Sequence, residues 1–166
     1  MQWHATIQEF LTSLQTERNT SANTIMAYRN DLSQFADYLN TALPEELTWT
    51  SLNQGHLSDF VASIASKYAT STIARKIAAI KTLFHWLHHK GLVSDDPSMR
   101  LKPPRIEKKA PRIMSEDEVF RLFEAASRAP APRSLRDRAL LELIYSTGMR
   151  VSEAIALRLS DVDFEA

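Results

Sequence analysis

The sequence predicts an all-α protein: a four-helix domain, then a basic linker, then the first helices of a second, mainly α domain. Three observations carry this. Apolar residues recur every three or four positions through most of the first hundred residues. Strand-like alternation is absent. The stretch KPPRIEKKAPR at 102–112 sets three prolines and five basic residues in eleven positions, which favours an extended, semi-rigid tether over a packed helix.

The elements follow in order. Trp3, Ile7, Phe10, Leu11 and Leu14 share the face of a first helix. Ile25, Tyr28, Leu32, Phe35, Ala36 and Leu39 line a second, entered through Asn19, Thr20 and Ser21 as sources of N-cap oxygens. Pro44 and the polar run Thr48 to Gly55 break the pattern. Leu57, Phe60, Val61, Ile64 and Tyr68 mark a third helix. Ile73, Ile77, Ile80, Phe84 and Leu87 mark a fourth, with Thr70 or Ser71 as the expected cap and Gly91 as the stop. A short extra turn is expected near Asp96 to Met99. Past the linker, Ser115 and Glu118 have capping-box spacing ahead of a helix with Val119, Leu122, Phe123 and Ala126 inward. After the Pro-broken loop ASRAPAPRS, a helix from about Leu135 to Thr147 should bury Ala139, Leu140, Leu143 and Ile144. A short helix begins around Val151. The domains are expected at 1–101, 102–114 (linker) and 115–166.

Composition narrows the function classes. Apolar residues at 44% can fill a core, and with no cysteine the chain has neither disulfides, thiolate catalysis nor Cys-based zinc sites. No apolar run approaches a bilayer span, and MQWHATIQEF lacks a signal pattern, so a cytoplasmic setting is expected. Three glycines exclude a Gly-rich nucleotide loop. Formal net charge is zero, but the total conceals an asymmetry. Residues 1–100 hold eight Lys/Arg against nine Asp/Glu and residues 115–166 seven against ten, while 101–114 hold five against one. Positive charge is concentrated in the tether, so neutrality overall does not exclude a nucleic-acid partner.

Three groups of residues could carry chemistry. Arg150 follows the helix break at Gly148 and precedes Glu153 by one turn. A planar guanidinium there suits two oxygens of a phosphate, and Glu153 could orient it. The competing reading is an ordinary surface pair at i, i+3. His85, His88 and His89 could place two histidines on one helix face, but nothing nearby supplies a further metal ligand, and no metal or other cofactor is expected. A nucleic-acid face could be built from Arg75, Lys76 and Lys81 on the fourth helix beside the small residues Ala74 and Ala78, with Thr20, Ser21, Thr24 and Arg29 on the second. Taken alone, this face is better read as a plain wet surface. The tether cations Lys102, Arg105, Lys108, Lys109 and Arg112 favour a duplex phosphate track. Tyr28, Tyr38, Tyr68 and Tyr145 fall within helical patterns as core or surface residues, not nucleophiles.

The segment RDRALLELIYSTGMRVSEAIALRLSDVDF at 136–164 closely resembles the first catalytic box of tyrosine recombinases, also called the phage integrase family. The likeness covers the Arg-Asp start, the apolar helix, the Thr-Gly break, the arginine, the glutamate and the closing Leu-x-x-x-Asp. The amino-terminal half resembles that family's SAM-like core-binding domain through Ser21, Thr24, Tyr28 and Asp31-Leu32, then Arg75 to Phe84, Gly91 and Asp96-Pro97. The Xer-type subgroup is the most similar. The resemblance implies a protein that clamps double-stranded DNA as a homo- or hetero-tetramer. It would cleave and rejoin strands through a 3′-phosphotyrosine, without metal or nucleotide, in chromosome dimer resolution or DNA integration. Arg150 would be the first catalytic arginine and Glu153 its orienting partner. The family's hairpin lysine, His-x-x-Arg pair, further His or Trp, and nucleophilic tyrosine follow that arginine, and residues 151–166 contain none of them. The expectation is therefore a DNA-binding fragment that does not catalyse by itself. The alternatives are a naturally short, non-catalytic DNA-binding regulator derived from an integrase, and an all-α interaction domain that never meets DNA.

Overall fold

The computed structural model describes residues 2–17, 20–42, 47–107 and 110–163. Among them are seven α-helices, two short 3₁₀ turns and no strand. The chain divides into two compact units, Met1–Lys108 and Lys109–Ala166. No helix among the described residues is long and apolar enough to cross a membrane.

Unit 1 is built from α1 (Gln2–Glu17), α2 (Ala22–Ala42), α3 (Gln54–Ile64) and α4 (Thr70–His89). The expected apolar stripes supply its core. Phe10, Leu32, Phe35, Phe60, Ile80, Leu83, Phe84 and Leu87 are withdrawn from water, which is the dominant favourable term in folding. Helix α4 is the hub, packing against α1, α2 and α3. Aromatic edges tie the layers together: Phe35 meets Phe60 at 5.0 Å between centroids and Phe10 meets Trp86 at 5.7 Å, an arrangement that ring quadrupoles favour.

Among the described helix starts of unit 1, side chains cap α2 and α3 but not α4. The Ser21 hydroxyl accepts from the Thr24 N–H at 3.3 Å, and the Asn53 side chain from the His56 N–H at 3.2 Å. Gly91 takes the left-handed φ of 71° that ends α4. The Gly91 N–H then reaches the His88 carbonyl and the Leu92 N–H the Leu87 carbonyl, at 3.0 and 2.9 Å, the two bonds of a Schellman motif. The exception is the start of α4. Neither Thr70 nor Ser71 caps it, because both lie inside the helix and Ala69 holds the cap position without a side-chain bond.

Two further expectations change. Tyr68 stands beyond α3, not on it; its hydroxyl donates to Gln34 at 2.9 Å. The polar run 48–55 is more than a break. It holds the 3₁₀ turn Trp49–Ser51, which seats Trp49 and Leu52 in the core, with Trp49 edge-on to Trp3 at 4.6 Å. Asn19 and Pro44 lie outside the described residues. The turn expected near Asp96 is present: Ser98 is fully buried and gives both its N–H and hydroxyl to the Asp96 carboxylate.

Unit 2 contains α5 (Glu116–Ser127), α6 (Arg133–Thr147) and α7 (Val151–Ala156), packed α5 on α6 and α6 on α7. Its capping box is formed, Ser115 Oγ accepting from the Glu118 N–H and Glu118 from the Ser115 N–H. The interior expected here is not. Among its described residues only Ala154 is buried, Leu122 and Ala139 are exposed, and Val119, Phe123, Ala126, Leu140, Leu143 and Ile144 are half-covered. Here α5 packs on α6 and α6 on α7, and the apolar side chains between them keep part of their surface in water.

Two outcomes test this packing. Leu83→Ala should lower the stability of unit 1 by about 2–5 kcal/mol, read from the urea transition of Trp3, Trp49 and Trp86 fluorescence, all three tryptophans lying in that unit. Gly148 holds φ of 67° with open space around its α-carbon, so Gly148→Ala carries only the backbone penalty of about 1–2 kcal/mol. Hydrogen exchange at the Glu153 and Ala154 amides should accelerate by about tenfold or more.

Candidate nucleic-acid interface and phosphate-binding arginine

The break between α6 and α7 is assembled locally. The Gly148 N–H closes α6 on the Ile144 carbonyl at 2.9 Å, and the left-handed glycine turns the chain. Arg150 then occupies the N-cap of α7, where its carbonyl accepts from the Glu153 and Ala154 N–H groups. Arginine has no acceptor with which to cap a helix, so it is a poor choice for that position on propensity alone. Glu153 compensates from the third helical position. One carboxylate oxygen accepts from the Arg150 backbone N–H at 2.7 Å and the other from its guanidinium at 3.1 Å. Side chain and main chain of Arg150 are thus held by one carboxylate, while the guanidinium remains 82% exposed. Such an exposed pair adds little stability. It does present a charged planar fork with most of its donors open.

The structure sorts the expected cations into different situations. Arg29, Lys102 and Arg105 are exposed. Arg112 is exposed and donates to Glu118 at 2.8 Å, joining the tether's end to the start of α5. Lys108 and Lys109 lie outside the described residues. Lys81 is half-buried, and its Nζ reaches the Met99 and Leu101 carbonyls at 3.4 and 3.3 Å, holding the chain where it leaves unit 1. Thr20 is half-buried, and the Ser21 and Thr24 hydroxyls bond each other at 2.9 Å at the head of α2.

Lys76 is a correction. Expected on the DNA-facing surface, it is 1% exposed. Its Nζ donates to Asp31 at 3.0 Å and Gln34 at 2.9 Å and lies 4.7 Å from the Tyr68 ring centre. Arg75, its neighbour, reaches the same carboxylate from the surface: 41% exposed, it donates through Nη1 to Asp31 and to the Ala27 carbonyl. Asp31, 1% exposed, is the acceptor for both cations. Sequence reasoning missed this cluster, although a signal was present. Asp31 and Lys76 both fall in the core register of their helices, beside Tyr28 and Phe35 on α2 and beside Ile73 and Ile80 on α4. Opposite charges at two core positions imply a partnership.

His85, His88 and His89 are exposed, and no group of three or more His, Cys, Asp or Glu among the described residues is placed to hold a metal.

Comparison with known proteins agrees with this geometry. Residues 7–91 match the family described as phage integrase, N-terminal SAM-like domain, and residues 112–166 match the phage integrase family. Among curated relatives, a tyrosine recombinase XerC of Roseiflexus castenholzii is 41% identical over 160 residues, covering 96% of this chain and 50% of the relative. The XerC of Roseiflexus sp. strain RS-1 is 40% identical over 158 residues, 95% of this chain and 50% of that protein. A tyrosine recombinase XerD of Proteus mirabilis is 37% identical over 157 residues, 94% of this chain and 49% of that protein. The chain spans about half the length of the curated relatives it matches. With the SAM-like helices in unit 1 and the Gly148–Arg150–Glu153 turn in unit 2, the chain belongs to the phage integrase, or tyrosine recombinase, family and is similar to its Xer-type members.

Proposed function

We propose that residues 1–166 are the DNA-gripping part of a site-specific tyrosine recombinase. In this proposal a core-binding domain at 1–101 and the catalytic segment from 115 hold double-stranded DNA, joined by the basic linker 102–114. The intact protein would act as a tetramer on DNA, breaking and rejoining strands through a 3′-phosphotyrosine in chromosome dimer resolution or DNA integration. The observation that carries the reading is Arg150, exposed and held by Glu153 at both its backbone and its guanidinium. Its role would be to neutralise charge building on the scissile phosphate. Exposed cations on the linker and on α2 support the same partner through phosphate contacts.

The binding test is the salt dependence of affinity for a short mixed-sequence duplex. Each phosphate contact contributes about 0.9 to the slope of log affinity against log salt. Replacing Lys102, Arg105 and Arg112 by glutamine should flatten that slope and weaken binding, whereas an unchanged slope would exclude the linker from the interface. A polypeptide of residues 1–166 should bind a suicide substrate without forming a covalent adduct, because none of its tyrosines follows Arg150. In an intact recombinase carrying this sequence, Arg150→Ala should slow strand cleavage by about two to three decades while leaving duplex affinity nearly unchanged.

A further inference from the structure

We propose that the buried Asp31–Lys76 pair is a positioning device for Arg75, which it holds as a preformed phosphate contact on unit 1. Resting on the DNA-binding reading above, the inference adds how one contact is set and assigns a role to two residues that never reach the nucleic acid.

The geometry is specific. The Asp31 carboxylate has left water and accepts from Lys76 Nζ with one oxygen and from Arg75 Nη1 with the other. Lys76 is immobilised on its remaining sides by Gln34 and the Tyr68 ring, and Tyr68 donates to that same Gln34 oxygen. Lys76 thus neutralises Asp31 from within, and Arg75 adds a second positive charge at the surface. One carboxylate facing two cations leaves a net positive charge, and the partly exposed group that carries it is Arg75. Because Asp31 and Ala27 both take Nη1, Nε and Nη2 have no hydrogen bond among the described residues and form the open side of the fork. That pair of parallel donors matches two oxygens of a phosphate. A guanidinium fixed before encounter loses less side-chain freedom on binding than a solvated one.

The experiment compares Arg75→Ala, Asp31→Asn, the pair-neutralising double variant Asp31→Asn/Lys76→Met, and that double variant with Arg75→Ala added. The neutralised pair avoids stranding a buried charge and is expected to keep the thermal transition. Two readouts are used: affinity for a mixed-sequence duplex across a salt series, and nitrogen-15 NMR of the Arg75 Nη1–H without DNA. The expected result is an affinity loss of about tenfold for Arg75→Ala and a flatter salt slope. The neutralised pair should lose a comparable factor with its slope retained, because the Arg75 charge is still present but no longer aimed. Adding Arg75→Ala to the neutralised pair should then cost little more. The Arg75 Nη1–H resonance, whose donors are held by Asp31 and Ala27, should be protected in the parent chain and lost to exchange in Asp31→Asn.

A folded neutralised pair that binds as well as the parent overturns the inference, as does a loss that simply adds to that of Arg75→Ala. A parent chain that binds no duplex, yet shows an Arg75 resonance protected only while Asp31 is present, overturns the DNA reading and the phosphate contact but leaves the positioning pair standing. An unprotected Arg75 in the parent removes the positioning pair itself.

Discussion

Unit 1 depends on the removal of one carboxylate from water. Asp31 sits in the apolar face of α2, where an unpaired charge would be costly enough to oppose docking of that helix. It is tolerated because α4 brings Lys76 and Arg75 to its two oxygens. The pairing is demanding in register: sliding or rotating either helix would bury one charge without the other. A core of Leu, Ile and Phe side chains accepts several packings of similar energy, whereas the ion pair accepts one. Helix α4 contacts every other helix of the unit, so the register of this pair bears on all of them.

The two units distribute their constraints differently. Unit 1 owes its cohesion to aromatic and aliphatic burial around α4, with the charge cluster selecting the arrangement. Unit 2 buries almost nothing among its described residues, and the order it shows is local: a capping box at Ser115, the left-handed Gly148, and the Glu153 grip on Arg150. Local devices of this kind set the path of the backbone without enclosing a core. An arginine at a helix N-cap gives up a fraction of helix stability relative to serine or aspartate. A departure from the local rule at a residue that also presents an open guanidinium is the pattern expected where function, not folding, selects the side chain.

Much of the fold could be read directly from residue spacing. The stripes from Trp3 to Leu14, Ile25 to Leu39 and Ile73 to Leu87 became buried helix faces because a 3.6-residue period is visible in one dimension. Gly91 and Gly148 were legible as stops for the same reason, since a left-handed residue after an apolar stripe is a local event. Trp49 was not legible. Its burial depends on Trp3 and Phe84, distant in sequence, and a three-residue turn carries no periodicity. At the candidate site, Arg150 and Glu153 could be paired from their separation of three. Lys76 differed from its neighbour Arg75 only in its core register beside Ile73 and Ile80, and which carboxylate it meets there depends on where α2 lies.

What the sequence alone determined is therefore whatever operates within a few residues: helix periods, caps, the glycine breaks, the charge concentrated between 101 and 114, and the Arg150–Glu153 spacing. Tertiary structure decided which cation faces solvent and which is spent inside. Arg75 and Lys76 are adjacent and both bond Asp31, yet a helical step of about 100° between them leaves one 41% exposed and the other buried. The physical reason is that burial is a property of the surface a neighbouring helix covers, and no residue encodes its neighbour's position in its own identity.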